Sequence, residues 1–220
     1  MKVGTDGVLL GAIAEAGDSV RRILDIGTGT GLVAVMLAQR FEEAHVDGLD
    51  IDHEAVEQAR ENSAASPYGE RIEIIEGDVK AYESAERYDL IVSNPPYFAG
   101  DLECPDGRRN MARHTVGLSH GELMEAMARL LTAEGRACVI VPAEARQKVE
   151  FEAEKRGLSS VRTTTIYSVE RKPAKRVICQ FAGAGARVEH VEERLVLLDE
   201  DGRMSHAYAE LTSDFYLDRS

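Results

Sequence analysis

No apolar run in this sequence of 220 residues approaches the roughly 20 residues that a membrane-spanning helix needs. The opening, Met1-Lys2-Val3-Gly4-Thr5-Asp6-Gly7, lacks the apolar stretch of a secretory leader, so none is expected. Cysteine is scarce: Cys104, Cys138 and Cys179 are an odd set with no Cys-x-x-Cys spacing. That argues against a disulfide framework and a zinc site, and fits a reducing cytoplasm. The six histidines form no His-x-x-x-His or His-Glu-x-x-His pattern, so no metal is expected. Positive charge is also short. The 26 Lys and Arg against 39 Asp and Glu leave a net charge of −13, which disfavours an indiscriminate nucleic-acid binder. The deficit is uneven, however. Residues 143–187 carry a net +5 and the remainder −18. Arg171, Lys172, Lys175 and Arg176 lie in the basic part, and Arg108, Arg109 and Arg113 make a second small group. Both groups fit a solvated surface and are also compatible with a selective RNA contact.

With 44% hydrophobic residues, a core of usual size can form, and the length suits one domain with small additions. Residues 4–16 place Val8, Leu9, Ala12, Ile13 and Ala16 at helical spacing, with Thr5 or Asp6 as cap and Gly17-Asp18 as stop. Arg22 to Ile26 reads as a buried strand. It enters Gly27-Thr28-Gly29-Thr30-Gly31, and a helix follows from Leu32 to Arg40. Strand, glycine turn and helix make the nucleotide-binding start of a doubly wound sheet, because glycines let the backbone approach a ligand. Leu32 stands where a dinucleotide fingerprint would have its last glycine, which weakens that reading, and no Gly-Lys-Ser/Thr marks a P-loop. Asp25, just before the turn, suits a positively charged ligand better than phosphates. The second strand, Val46 to Ile51, brings Asp50 to its end, nineteen residues beyond Gly31, the separation at which a carboxylate accepts from ribose hydroxyls. A helix is expected over Glu54 to Ala64. The third strand, Arg71 to Ile75, leads to Asp78, which can accept from an exocyclic amine or be a solvated turn residue.

The fourth strand, Tyr88 to Val92, stops at Ser93-Asn94-Pro95-Pro96-Tyr97. Asn94 and Pro95 each precede a proline and are pushed toward extended backbone. The amide of Asn94, the carbonyl of Pro95 and the ring of Tyr97 are thereby presented in a nearly fixed geometry, suited to a flat, NH2-bearing group. Taken alone, the same residues also make an ordinary proline turn at a strand end. Residues 97–118 read as a long loop, a common feature of functional sites. Beyond it are expected a helix over Leu118 to Leu131 with a Ser119/Glu122 capping box, a strand over Arg136 to Val141, and a helix over Glu144 to Arg156. Strands follow near 160–168, 175–182 and Glu193 to Leu198, then a helix from Ser205 to Leu217.

The glycine turn after Asp25, the acidic end of the second strand and Asn94-Pro95-Pro96-Tyr97 together resemble the class I S-adenosylmethionine-dependent methyltransferases. That fold is α/β and Rossmann-like, a mostly parallel seven-stranded sheet with helices on both faces. Within it the chain is most similar to the bacterial tRNA adenine-37 N6-methyltransferases, which modify valine tRNA beside the anticodon. The similarity runs nearly end to end. It is carried by Lys2-Val3-Gly4-Thr5-Asp6-Gly7-Val8-Leu9-Leu10-Gly11-Ala12, Asp25 to Leu32, Ser93 to Tyr97, Ala207-Tyr208-Ala209-Glu210-Leu211-Thr212 and Phe215-Tyr216-Leu217. Members of that family carry a few dozen residues before the Lys-Val-Gly-Thr-Asp segment, where this sequence starts; the difference bears on substrate capture more than on cofactor binding.

The resemblance implies one methyltransferase domain over residues 1–220, with residues 1–17 contacting cofactor and a strand and helix over 186–220 packed on the same body. It implies S-adenosylmethionine as cofactor and a tRNA substrate. Gly27, Gly29 and Gly31 would form the cofactor turn, and Thr5, Asp6 and Asp25 would lie near the methionine end. Asp50 would hold the ribose, Asp78 the cofactor adenine, and Asn94 and Pro95 the substrate amine. Tyr97 would stack on the base with Phe98 in support. From the charge pattern, and not from the resemblance, Arg108, Arg109, Arg113, Arg171, Lys172, Lys175 and Arg176 are the candidates for phosphate contacts, with plain surface the alternative. Two alternatives stand beside this reading: a glutamine methyltransferase acting on release factors, which uses the same Asn-Pro-Pro-Tyr chemistry on a side-chain amide, and a non-catalytic RNA-binding or scaffold protein with a decayed site.

Overall fold

The computed structural model describes residues 4–17, 19–95, 117–183 and 189–216. Its strands are β1 (Arg22–Ile26), β2 (His45–Asp50), β3 (Ile72–Glu76), β4 (Tyr88–Ser93), β5 (Leu131–Pro142), β6 (Ser159–Val169), β7 (Arg176–Ala182) and β8 (Val191–Leu198). The helices are α1 (Thr5–Ile13), α2 (Leu32–Arg40), α3 (His53–Ala65), α4 (His120–Leu130), α5 (Arg146–Glu154) and α6 (His206–Leu211). One sheet holds all eight strands in the order β3-β2-β1-β4-β5-β7-β6-β8. Only β7 runs against its neighbours, β5 and β6; the other pairs are parallel. The carboxyl ends of β1 to β6 therefore share one rim with the start of β7.

Both faces of the sheet are covered, which explains why β1 and β4 read as continuous apolar runs. Ile23, Leu90, Ile140 and Ile178 point to one face, packing with Leu9 and Leu10 of α1 and Leu37 of α2. Leu24, Ile91 and Val139 point to the other, beneath Leu123, Met124 and Met127 of α4 and Val149 of α5. Three arginines close backbone ends that would otherwise lack partners. Arg40 donates to the carbonyls of Gly11 and Ala14 after α1, Arg71 to those of Ala38, Phe41 and Ala44 after α2, and Arg129 to those of Val79 and Tyr82.

Several boundaries differ from the sequence reading. The cap of α1 is Gly4, with no side-chain bond, so Thr5 and Asp6 lie inside the first turn, and the helix ends at Ile13, short of Gly17. The last helix stops at Leu211 because two hydroxyls fold back on the chain: Thr212 donates to the Tyr208 carbonyl and Ser213 to that of Glu210. β5 begins at Leu131, immediately after α4, where Leu131 pairs with Tyr88. The sheet has one strand more than the seven expected, since β8 joins it along β6, from Arg162↔Val191 to Val169↔Leu198. The long strand β6 would otherwise leave a full row of backbone groups unpaired. The Ser119/Glu122 capping box forms as expected.

Candidate active site

The rim is built first by backbone. Gly27, Gly29 and Gly31 have φ of +71°, +57° and +80°, so alternate residues of the turn take a left-handed conformation that disfavours side chains. A Cβ at Gly27 or Gly29 would meet nothing, which makes the backbone angle the reason for glycine there. A Cβ at Gly31 would also press on Ala59 of α3, at 3.3 Å. The turn is tied to β2: the amides of Gly27 and Thr28 donate to the Leu49 carbonyl (2.8 and 3.1 Å), and that of Gly29 to Asp50 Oδ2 (2.8 Å). The Asp52 amide donates to Asp50 Oδ1 (3.0 Å), so the Asp50 carboxylate is fixed at both oxygens while it borders the cavity.

Asp25 lies beneath the turn, only 1% exposed, and accepts from the Thr28 hydroxyl at 2.7 Å. Burial pushes its carboxyl up to about 7, and the Asp50 charge adds to that, against the pull of Thr28 and the Ala34 amide. Asp78 accepts from the Lys80 amide at 3.0 Å, and the Lys80 ammonium lies 3.5 Å from its other oxygen. Ser93, fully buried at the end of β4, donates to the Ile26 carbonyl at 2.8 Å. That bond locks the ends of β4 and β1 together and sets where Asn94 emerges.

These pieces surround a cavity of about 520 Å³, within the usual range of small-molecule sites, about 300–1,000 Å³. Asp25, Gly27, Gly29, Asp50, Asp78, Asn94 and Pro95 all border it. Asn94 is half-buried and Pro95 buried. Gly31 does not border it and instead opens α2. Thr5 and Asp6 do not border it either; α1 reaches the cavity through Gly4 and Gly7. Asp6 accepts from Arg176 Nε at 2.8 Å, so Arg176 is engaged inside the fold. Arg171, Lys172 and Lys175 are exposed in the turn from β6 to β7. Tyr97, Phe98, Arg108, Arg109 and Arg113 lie outside the described residues.

Sequence reasoning passed over several contributors. Ile51 is 62% exposed at the cavity edge, an apolar side chain next to the strand-end acid. Its position between Asp50 and Asp52 was the available signal. Lys80 and Leu118 also line the space. Gly48, inside β2, leaves room for Thr28: a Cβ there would stand 3.0 Å from Thr28 Oγ1 and 2.8 Å from Ile74 Cδ1. Nothing local in the sequence announces that close approach.

A parallel sheet reversed only at β7, with a glycine turn, an acidic second strand and a rim cavity, has the architecture of class I methyltransferases. The predicted O-methyltransferase Atu636 of Agrobacterium tumefaciens superposes with a TM-score of 0.75 at 20% identity, covering 98% of this chain and 100% of that one. The methyltransferase CcbJ of Streptomyces caelestis follows at 0.60 and 16%, over 82% and 90%. At such identities the likeness concerns the fold alone. Residues 3–141 match the methyltransferase small domain family.

A tRNA1(Val) (adenine(37)-N6)-methyltransferase of Bacteroides thetaiotaomicron is 42% identical over 99% of this chain and 91% of its own length. Its counterparts in Phocaeicola vulgatus (45%, over 99% and 91%) and Erwinia tasmaniensis (42%, over 100% and 89%) carry the same name. The chain belongs to the tRNA1(Val) (adenine(37)-N6)-methyltransferase family.

Proposed function

We propose that this chain methylates N6 of adenine 37 in valine tRNA, acting as one domain over residues 1–220 in the cytoplasm. The observation that carries the reading is the convergence of Asn94 and Pro95 with Asp25, Asp50 and Asp78 on one cavity. S-adenosylmethionine fits the donor set. A cationic ligand suits the acidic floor, and a nucleoside suits the fixed carboxylate of Asp50 beside the exposed apolar face of Ile51. When bound, it supplies a methyl group on a sulfonium, open to in-line attack.

The remaining work falls to the chain. The N6 lone pair of adenine is delocalised into its ring and is a poor nucleophile. Asn94 Oδ1 and the Pro95 carbonyl accept the two N6 hydrogens and leave the lone pair to face the cofactor. Pro95 and Pro96 restrict the backbone, so these acceptors are arranged before substrate arrives. Tyr97, supported by Phe98, stacks on the base as aromatic side chains do with extruded nucleobases. Asp50 holds the ribose, Asp78 the cofactor adenine, and Asp25 faces the cationic end. No strong general base is needed, since N6 becomes acidic as it is alkylated.

The test is transfer of labelled methyl to unmodified valine tRNA. Asn94→Ala is expected to lower kcat by about 100-fold, the scale of losing one preorganised polar partner, with cofactor affinity retained. Full activity in Asn94→Ala removes the amide from the mechanism. A release factor assayed beside the tRNA separates the glutamine-methylating alternative.

A further inference from the structure

Most described arginines are committed within the fold. Arg40, Arg71 and Arg129 are bound to carbonyls, and Arg22, Arg146, Arg156, Arg162 and Arg176 to carboxylates. Among the described Lys and Arg, the side chains of Arg171, Lys172, Lys175 and Arg203 have no hydrogen bond or ion pair. Three of these four fall within five residues, all exposed, in the turn from β6 to β7. The turn's single acid, Glu170, is drawn away by Arg194, 3.3 Å distant, whose guanidinium lies over the Tyr167 ring at 4.3 Å. Pro173 stiffens the turn, which the Lys172 amide closes by donating to the Val169 carbonyl at 3.1 Å. The result is a compact cationic knob on a chain of net charge −13.

Register fixes where the knob stands. Arg176 pairs with Pro142 on one side and Ile166 on the other, and the Ala143 amide donates to the Lys175 carbonyl at 3.2 Å. The turn is therefore on the same rim as Asn94, three strand steps from β4, or about 14 Å at the usual spacing. On its outer side runs the loop after β8, where exposed Asp199, Glu200 and Asp201 outnumber Arg203. An anion held at the turn is repelled from that edge.

We infer that the turn carrying Arg171, Lys172 and Lys175 is a docking surface for the phosphate backbone of RNA, a few nucleotides from the base presented to Asn94. This rests on the proposed methylation of RNA, and the experiment separates the two. An RNA stem-loop is titrated by fluorescence anisotropy at several salt concentrations, with wild type and with the triple variant Arg171→Ala, Lys172→Ala, Lys175→Ala. Each lost phosphate contact on single-stranded RNA should reduce the slope of log K against log salt by about 0.7, so the triple variant should lose about 2. S-adenosylmethionine affinity, measured by calorimetry, should stay at the wild-type value. If the triple variant binds cofactor poorly, the single Lys172→Ala, with its expected loss of about 0.7, carries the same comparison.

An unchanged slope in either properly folded variant overturns the surface and leaves the methylation reading standing. A wild-type chain that neither binds nor methylates RNA overturns both. Polyglutamate competing as well as RNA for the wild-type chain overturns the assignment to nucleic acid.

Discussion

Asp25 shows at a single residue what a buried carboxyl costs in stability. Its carboxyl is pushed from an ordinary 3.8 to about 7, with burial the largest cause. The folded chain thus holds a proton below pH 7 that the unfolded chain gives up above pH 4. Between those values each rise in pH favours the unfolded chain, and above 7 the folded state bears the full cost of a buried charge. A cationic ligand reverses the balance by favouring the carboxylate. Asp25→Asn keeps an acceptor for Thr28 and removes the charge. It is expected to raise the urea midpoint above wild type at pH 8 and to match it near pH 4. It should also weaken S-adenosylmethionine binding at pH 8 by tenfold or more. Urea titrations at the two pH values, with calorimetry at the higher one, check both halves; a variant no more stable than wild type at pH 8 would falsify the burial argument.

At the scale of elements, α1 shows what the sequence could and could not reveal. Its apolar spacing announced a helix, and β1, α2 and β4 could be read to within a residue because burial on both faces writes itself into continuous apolar runs. Asn94 and Pro95 likewise follow directly on the end of β4, as the sequence reading placed them, since proline acts locally. What was hidden depends on partners far along the chain. Nothing local in the sequence marks Asp47, an acid inside β2, yet it is buried and accepts from Arg22 at 2.5 Å and from the Tyr88 hydroxyl at 2.6 Å. Arg176 looked like part of a basic surface, yet it reaches Asp6, 170 residues away. That bond holds the first turn of α1, whose neighbours Gly4 and Gly7 border the cavity, while Gly11 brings the helix so close to α2 that a Cβ would stand 2.8 Å from Met36 Sδ.

Arg176 is thus expected to act as a positioning residue. Arg176→Ala is expected to weaken S-adenosylmethionine binding about tenfold, with kcat at saturating cofactor close to wild type. Asp6→Asn should do the same, the double variant no worse than either single one, and Arg176→Lys partly restore affinity. Additive losses in the double variant, measured by calorimetry, mean that the two residues act separately. A loss confined to RNA binding returns Arg176 to the surface.

Across the whole molecule, labour divides along the chain. Among the described residues, those bordering the cavity all lie between positions 4 and 118, and the later part extends the sheet and sets the cationic turn on its rim. The last segment nevertheless returns to the first. Tyr208 of α6 is buried in the same apolar cluster as Leu9, Leu10 and Leu37, and Leu211 and Phe215 pack on Val8, Ala12 and Met36. Gln39 of α2 donates to the Asp214 carbonyl at 2.9 Å. The end of the chain thus braces the helix that walls the cavity. A chain ending at Leu198 keeps β8 and every described residue that borders the cavity, but uncovers this apolar contact. With about 1.5–3 kcal/mol for burial of each large side chain, losing Tyr208, Leu211 and Phe215 should cost about 5 kcal/mol, since Leu211 and Phe215 are only partly covered. Urea unfolding reads that loss directly. Cofactor affinity should fall as well, although no described residue among those removed borders the cavity, because α1 loses its support at Val8 and Ala12. Phe215→Ala should show a smaller loss of the same two quantities together. Wild-type cofactor affinity in the shortened chain, at a urea concentration where it is still folded, would sever the proposed link between the two ends and the site.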